Sequence, residues 1–263
     1  MGSRNKKKSS MSSLEHIGRF FILSSFYYFF LFKAVEFYYI EALAYINRGM
    51  NIPFASLSLL LLLLARMGMG AGTLTKVTTA QLDRAFPERA STSGCASITE
   101  FTSECATNEQ AAQAITNAMA KYKVTGRGQV VALISLMAYE SNKWQYNINH
   151  FPGRPGQGTR AMLMYSFVYA YAKQLYPSQV QGAWQTSSDN STMNNVRALV
   201  LDNDDSFGAA FWYLTTVAKD FASADKLRSG NIDDFKAYIE NGVHTTWDSG
   251  RGDIWTSVDK SIY

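Results

Sequence analysis

The sequence predicts a mostly α-helical (α+β) single domain with a central buried helix and one small β element. Three observations support this prediction. Apolar residues recur at helical spacing in several segments, a nearly continuous apolar run ends at Glu140, and polar stretches with Gly or Pro separate the segments. A chain of 263 residues suits one domain preceded by a leader. We expect residues 73–263 to form that domain.

Two apolar stretches lie in the predicted leader. Residues 20–32 form a stretch that is short for a membrane span. Residues 57–65 are followed by small residues, as in a secretory signal. We therefore predict a signal peptide at 50–72, a mispredicted or unused extension at 1–49, and a secreted, extracellular product. A two-segment membrane anchor is the alternative, so we expect a membrane partner only if the N-terminal segment is retained.

The positive charge of the chain belongs to this leader. Residues 1–72 carry eight of the 25 Lys and Arg and three of the 21 Asp and Glu. Residues 73–263 therefore hold 17 basic and 18 acidic residues and have a net charge of −1. This balance gives no support to nucleic-acid binding, and we expect no nucleic-acid partner.

The two cysteines, Cys95 and Cys105, both follow the leader. In a secreted chain such a pair predicts one disulfide that closes a short loop. Asn190, Ser191 and Thr192 form a glycosylation sequon, which agrees with secretion. Three His and two Cys without clustered ligand spacing predict no metal site, and no phosphate-binding loop follows a strand, so no cofactor is expected.

The first half of the domain is expected to hold three helices. A short helix is predicted near 79–85, and Thr107 with Gln110 three residues later forms a capping-box spacing that opens the next. The run 130–140 is apolar nearly all round, which indicates a helix enclosed at the centre of the fold. Residues 142–160 then read as a long ordered loop, with a small hairpin around 158–163.

The second half is expected to be helical with polar connections. Helices are predicted at 161–175, 196–201, 207–221, 232–241 and 250–263. Pro177 stops the first, the acidic residues 202–206 cap the third, and Gly242 ends the fourth. Residues 182–195 are predicted to be a loop rich in Ser, Thr and Asn.

Glu140 is the candidate catalytic residue. It ends the apolar run, and the next acid, Asp189, follows after 48 residues without a carboxylate. Because burial disfavours the charged form, a Glu in this position can hold a proton near neutral pH and act as a general acid. An exposed carboxylate, or one paired with Arg, is the alternative. A direct pair with Arg160 or Arg251 would lower the pKa and count against the acid role.

Four segments resemble known carbohydrate-active enzymes in the same order. Residues 132–141, which end in Glu-Ser, resemble the catalytic helix of the lysozyme-like superfamily. Residues 156–164 are similar to the Gly-rich strand of lytic transglycosylases and family 19 chitinases. Residues 205–212 and 239–244, with Arg251 downstream, are similar to later segments of the family 19 enzymes. The resemblance covers roughly 132–251 and implies a lysozyme-like fold, with Glu140 as the acid.

The resemblance and the loop composition together predict the substrate-binding residues. Aromatic rings can stack on sugars, and amides can bind N-acetyl groups, although the same side chains can also serve the loop's own structure. The candidates are Trp144, Tyr146, Asn149, His150, Gln157, Thr159, Arg160, Asn241 and Arg251.

The predicted function is therefore that of a secreted glycoside hydrolase or lytic transglycosylase. The predicted substrate is a β-1,4-linked N-acetylhexosamine polymer, peptidoglycan or chitin. Family 19 chitinases add a second carboxylate downstream to activate water, and this chain has none there. A one-Glu transglycosylase, a base taken from Asp202, Asp204 or Asp205, and a non-catalytic glycan- or protein-binding member of the fold all remain open.

Overall fold

The computed structural model describes residues 72–90 and 94–263. The described part is mostly helical, as the sequence predicts, and contains eight α-helices. They are α1 (Thr79–Ala85), α2 (Asn108–Tyr122), α3 (Arg127–Glu140), α4 (Tyr165–Leu175), α5 (Asn190–Ala198), α6 (Asn203–Trp212), α7 (Ile232–Ala237) and α8 (Ser249–Ser261). The predicted extension at 1–49 and nearly all of the predicted signal peptide at 50–72 lie outside the described residues. Within the described ranges, no helix combines the length and the hydrophobicity needed to cross a membrane.

Helix α3 is the centre of the fold. Every residue from Gly128 to Ala138 is buried, because the apolar residues surround the whole helix rather than one stripe. Helix α8 packs along α3, and α2 packs along α6. A Cβ at Gly128 would lie 2.1 Å from the Leu227 carbonyl oxygen, so only glycine allows this close approach. The predicted central helix is thus confirmed, and its last residue, Glu140, emerges at the surface of the core.

Capping explains where the early helices begin. Thr107 accepts a hydrogen bond from the Gln110 amide while the Gln110 side chain bonds back, so the predicted capping box is present at α2. Thr78 and Gln81 form a second capping box at α1. The predicted bond between Cys95 and Cys105 is also present, with an S–S distance of 2.01 Å.

Several later helices differ from prediction at their ends. Helix α4 begins at Tyr165 rather than 161, because Gly158 pairs with Leu163 in an antiparallel bridge and residues 159–162 form the turn between them. Helix α5 begins at Asn190, inside the predicted loop, because the Asp189 side chain caps it. Helix α6 changes to a π-helical turn at Tyr213–Val217, and α7 changes likewise at Tyr238–Gly242. The β element consists of isolated bridges in the described residues.

Candidate functional site

A polar cleft opens where α3 ends and the loop 142–160 returns. Its volume is about 220 Å³. It is lined by Glu140, Tyr146, Ile148, Asn149, His150, Phe151, Gln157 and Met162. Five residues predicted from the sequence therefore meet here, with Glu140 at the helix end and the others on the loop. A water molecule in the liquid occupies about 30 Å³, so the cleft has room for a polar ligand group together with several waters.

The Glu140 carboxylate is paired with Arg251. The two side chains meet at 2.7 Å between Oε1 and a guanidinium nitrogen, and 23% of the Glu140 side chain is exposed. The contact that would count against a general acid is therefore present, because an opposite charge favours the ionised carboxylate. Among the described residues, no hydrogen bond reaches Oε2, the second carboxylate oxygen of Glu140.

Arg251 divides its charge among several groups at the start of α8. Its Nε donates to the Thr246 carbonyl at 3.2 Å and lies 4.0 Å from an Asp248 oxygen. Its guanidinium also lies 4.0 Å from the centre of the Tyr139 ring. The Tyr139 hydroxyl donates to Asp248 at 2.5 Å. That hydrogen bond lowers the pKa of Asp248 and raises the pKa of Tyr139.

The chain leaves α3 through a left-handed turn. Asn142, Lys143 and Trp144 all have positive φ angles, of 49°, 53° and 68°. Left-handed non-glycine residues are unfavourable and persist where surrounding contacts hold them. Arg89 supplies such contacts, because its Nε donates to the Lys143 carbonyl at 2.7 Å. The Ser141 hydroxyl oxygen also accepts from the Trp144 amide at 3.0 Å. The turn thus fixes how the loop leaves Glu140.

Trp144 belongs to the core, and its prediction as a sugar-binding residue is corrected. The side chain is fully buried, and its ring packs edge-on against Phe86 and Phe207. Its indole nitrogen donates to the Asn108 side chain at 3.0 Å. A ring enclosed in this way anchors the loop and is closed to substrate.

Thr159 and Arg160 were predicted to bind substrate, but both side chains are buried. Neither is therefore available to a ligand in the cleft. Arg160 donates to the carbonyl oxygens of Trp144 at 2.8 Å, Tyr146 at 2.9 Å and Glu104 at 2.6 Å. Burial lowers the pKa of Arg160 to about 10, so the guanidinium remains charged at neutral pH. Its role is to hold the loop together, because those carbonyls have no helix or strand to pair with.

Asn241 is exposed on the π-helical turn after α7 and is not among the residues that line the cleft. Of the two predicted residues in this part of the chain, Arg251 reaches the site through its pair with Glu140. The turn ends five residues after α7, at Gly242, and α8 begins at Ser249 and carries Arg251 along the side of α3.

The two amides of the cleft are partly occupied by the loop itself. The Asn149 side-chain oxygen, Oδ1, accepts hydrogen bonds from the backbone amides of Gly153 at 2.9 Å and Arg154 at 3.1 Å. The Gln157 side-chain nitrogen donates to the Met162 carbonyl at 2.9 Å. In the described residues its oxygen is buried without a hydrogen-bond partner. The Gln157 side-chain oxygen is therefore an unsatisfied hydrogen-bond acceptor next to the cleft.

The sequence analysis missed a second carboxylate at this loop, Glu104. Its side chain is 9% exposed and accepts from His150 Nε2 at 2.6 Å. The His150 ring stacks on Phe101 at 3.5 Å between ring centres. Glu104 precedes Glu140 in the chain, whereas the second carboxylate of family 19 chitinases follows the first. The sequence feature that could have pointed to Glu104 is the neighbouring Cys95–Cys105 pair, because a disulfide marks an ordered segment.

The aspartates considered as distant bases lie elsewhere. The Asp202 carboxylate caps α6 by accepting from the Asp205 amide at 3.1 Å. The Asp205 carboxylate bonds to the Tyr176 hydroxyl and lies 3.5 Å from Lys121. None of Asp202, Asp204 and Asp205 lines the cleft of Glu140. The hypothesis that one of them acts there as the base is therefore corrected.

A larger groove of about 790 Å³ lies at the helix starts of α1, α2 and α6. Its polar groups include Thr78 and Gln110, which form capping boxes, and Asp202, which caps α6. Because these groups already cap the starts of helices, we place the candidate site at the smaller cleft, which both Glu140 and His150 line.

Comparison with known proteins gives a partial match. A stretch of 144 residues is 35% identical to part of a Fusarium oxysporum (strain Fo5176) protein named bifunctional dioxygenase (DOX)-epoxy alcohol synthase (EAS). The stretch covers 52% of this chain and 11% of that protein, so the chain spans a small part of the relative's length. No family model and no solved structure matches the chain. The chemistry of the site is therefore argued from its own residues.

Proposed function

We propose that this protein is a secreted enzyme of lysozyme-like fold that cleaves a β-1,4-linked N-acetylhexosamine polymer, either peptidoglycan or chitin. The observation that carries the proposal is Glu140, which sits at the end of the central buried helix and opens into a polar cleft. We assign it the role of general acid, which protonates the leaving glycosidic oxygen. The proposed partner is the polysaccharide, with no nucleic acid.

The pair with Arg251 is compatible with a general-acid role for Glu140. Arg251 contacts only Oε1, and it also donates to the Thr246 carbonyl and lies near Asp248, so its charge is shared. Oε2 is the oxygen through which a proton would pass to substrate.

The cleft lining agrees with an amide-bearing sugar. Tyr146 and Phe151 provide aromatic surface, and 74% of Phe151 is exposed. Asn149 and Gln157 provide amide groups at the same cleft. An N-acetyl group presents one N–H and one carbonyl, which side-chain amides can recognise. These residues suit a neutral polar ligand rather than a strongly charged one.

The test is cleavage of peptidoglycan and of chitin by the purified secreted domain and by Glu140→Gln. Gln keeps the size and an oxygen for Arg251, but it has no proton to donate. General acid catalysis contributes about 10²- to 10⁴-fold, so we expect a rate loss of that order with an unchanged melting temperature. Glu109→Gln is the matched control, because Glu109 is exposed on α2 and lines the larger groove. Equal turnover by wild type and Glu140→Gln would refute the role of Glu140.

A non-catalytic glycan-binding protein is the second candidate. The observation that favours it is the Arg251 pair, which occupies one oxygen of the Glu140 carboxylate. In that case the wild-type protein releases no fragment from either polymer yet still binds one of them. A sedimentation assay with insoluble chitin and peptidoglycan, run beside the cleavage assay, distinguishes the two candidates.

A further inference from the structure

Glu104 is a buried carboxylate held in one position by the loop that lines the cleft. Its Oε2 accepts from the backbone amides of Asn147 at 3.0 Å and Ile148 at 3.1 Å. It ends a short 3₁₀ turn, Thr102–Glu104, and the next residue, Cys105, is tied by the disulfide. Within the described ranges three donors reach this carboxylate, because His150 bonds to Oε1. A buried carboxylate needs such donors to remain ionised.

His150 connects this carboxylate to the cleft. Its Nε2 lies 2.6 Å from Glu104 Oε1, and 17% of the side chain is exposed. When Glu104 is ionised its carboxylate only accepts hydrogen bonds, and Nε2 then carries the hydrogen in this pair. In the neutral ring the other nitrogen, Nδ1, then has a free lone pair. The stacked Phe101 ring restricts rotation of the imidazole. His150 and Glu140 line the same cleft.

We propose that His150, oriented by Glu104, is the base that activates water in this cleft. The proposal rests on the proposed function and supplies the group that the absence of a downstream carboxylate left unassigned. His150 would be a catalytic residue, because it would contact the attacking water. Glu104 would be a positioning residue that acts through the ring of His150.

The step balances in atoms and charge. A water proton moves to His150 Nδ1 while the water oxygen forms a bond to the anomeric carbon. The bond between that carbon and the glycosidic oxygen breaks, and the leaving oxygen takes the proton of Glu140. Glu140 ends as a carboxylate, and His150 ends as an imidazolium beside the negative charge of Glu104. Exchange of one proton with solvent at each group restores the starting state.

Two guanidinium groups place positive charge near Glu104. Arg160 and Arg197 both interact electrostatically with Glu104, and Arg160 donates to its backbone carbonyl. A carboxylate that stays ionised can fix the tautomer of a neutral imidazole and then stabilise the imidazolium formed during reaction. In this pair His150 accepts the proton and Glu104 orients the His150 ring.

The experiment compares wild type, Glu140→Gln, His150→Gln and Glu104→Gln on soluble N-acetylglucosamine oligomers, with and without sodium azide. Azide attacks carbon directly and has no proton to lose, so it replaces a missing base but cannot repair a misfolded cleft. We expect His150→Gln and Glu104→Gln to lose about 10²- to 10⁴-fold in kcat at nearly unchanged KM. Azide is expected to restore turnover and to yield a glycosyl azide, detected by mass spectrometry.

His244→Asn is the control, because His244 is exposed in a loop with positive φ, which Asn tolerates. It is expected to match wild type. If wild type cleaves the substrate, three results would overturn the base role alone. They are full activity of His150→Gln, a loss of activity in His150→Gln that azide does not restore, and anhydro-sugar products. Wild-type activity of Glu104→Gln would remove the positioning role. Failure of wild type to cleave any substrate would overturn the proposed function and the base role with it.

Discussion

Replacing Arg160 by Met tests whether the loop beside Glu140 is held by a buried cation. Arg160 is 1% exposed and donates to three backbone carbonyls, of Trp144, Tyr146 and Glu104. Met fills a similar volume but donates no hydrogen bond. The variant therefore leaves those carbonyls without this partner inside the protein.

The expected change in the free energy of unfolding of Arg160→Met follows from two opposing effects. A hydrogen bond to a charged group is worth about 1.5–3 kcal/mol, so the three bonds together contribute several kcal/mol. The fall of the Arg160 pKa from 12.5 to about 10 corresponds to roughly 3 kcal/mol of desolvation, which the substitution removes. We therefore expect the free energy of unfolding to fall by about 2–5 kcal/mol. For a domain of this size that lowers Tm by about 5–15 °C.

The assay is denaturant unfolding of the protein, with Arg154→Met as the matched control. Arg154 is exposed, and the hydrogen bond of its side chain among the described residues is to the Met164 sulfur, at 3.9 Å. We expect the control to stay within about 0.5 kcal/mol of wild type. A loss below about 1 kcal/mol in Arg160→Met would refute the reasoning, because the carbonyls would then find other partners at little cost.

Three further outcomes follow from individual contacts. Replacing Cys95 and Cys105 by Ser frees a ten-residue loop and should lower the free energy of unfolding by about 2–3 kcal/mol in denaturant titration. Gly158→Ala places a Cβ 2.7 Å from an Arg197 side-chain carbon and should cost about 1–3 kcal/mol, measured by thermal melting. The pKa of Asp248 lies below its ordinary 3.8, so its stabilisation is complete above that value and is lost as pH falls through the folded pKa. Asp248→Asn should therefore flatten the loss of Tm with falling pH below about pH 4, and an unchanged slope would contradict this assignment.

The central helix and the cleft beside it were accessible to prediction because local pattern determines them. The all-round apolar run up to Glu140 indicates enclosure, and the capping box at Thr107 fixes where α2 begins. The amides and aromatics of the loop 142–160 indicated a site, and five predicted residues do meet there. Helix ends were less accessible, because the bridge from Gly158 and the π-helical turns depend on tertiary contacts.

The roles of individual loop residues could not be predicted from composition. Trp144 and Tyr146 are both aromatic and nearly adjacent, yet the first is enclosed by the core and the second lines the cleft. A left-handed turn decides between them by reversing the chain at residues 142–144. Glu104 was missed for a related reason, since its proximity to His150 arises from folding of distant segments. Burial and pairing at long range are properties of the fold rather than of the local pattern.

The most direct test of the site is an NMR chemical-shift map of Glu140→Gln titrated with an N-acetylglucosamine oligomer. Uncleaved sugar should shift the backbone amides at 140, 146, 148–151, 157 and 162, which line the cleft. Shifts confined to 76–79, 109–116 and 202–204 would place the ligand in the larger groove and contradict the proposed site. Absence of any shift, with peptidoglycan fragments as well as chitin oligomers, would contradict glycan recognition altogether.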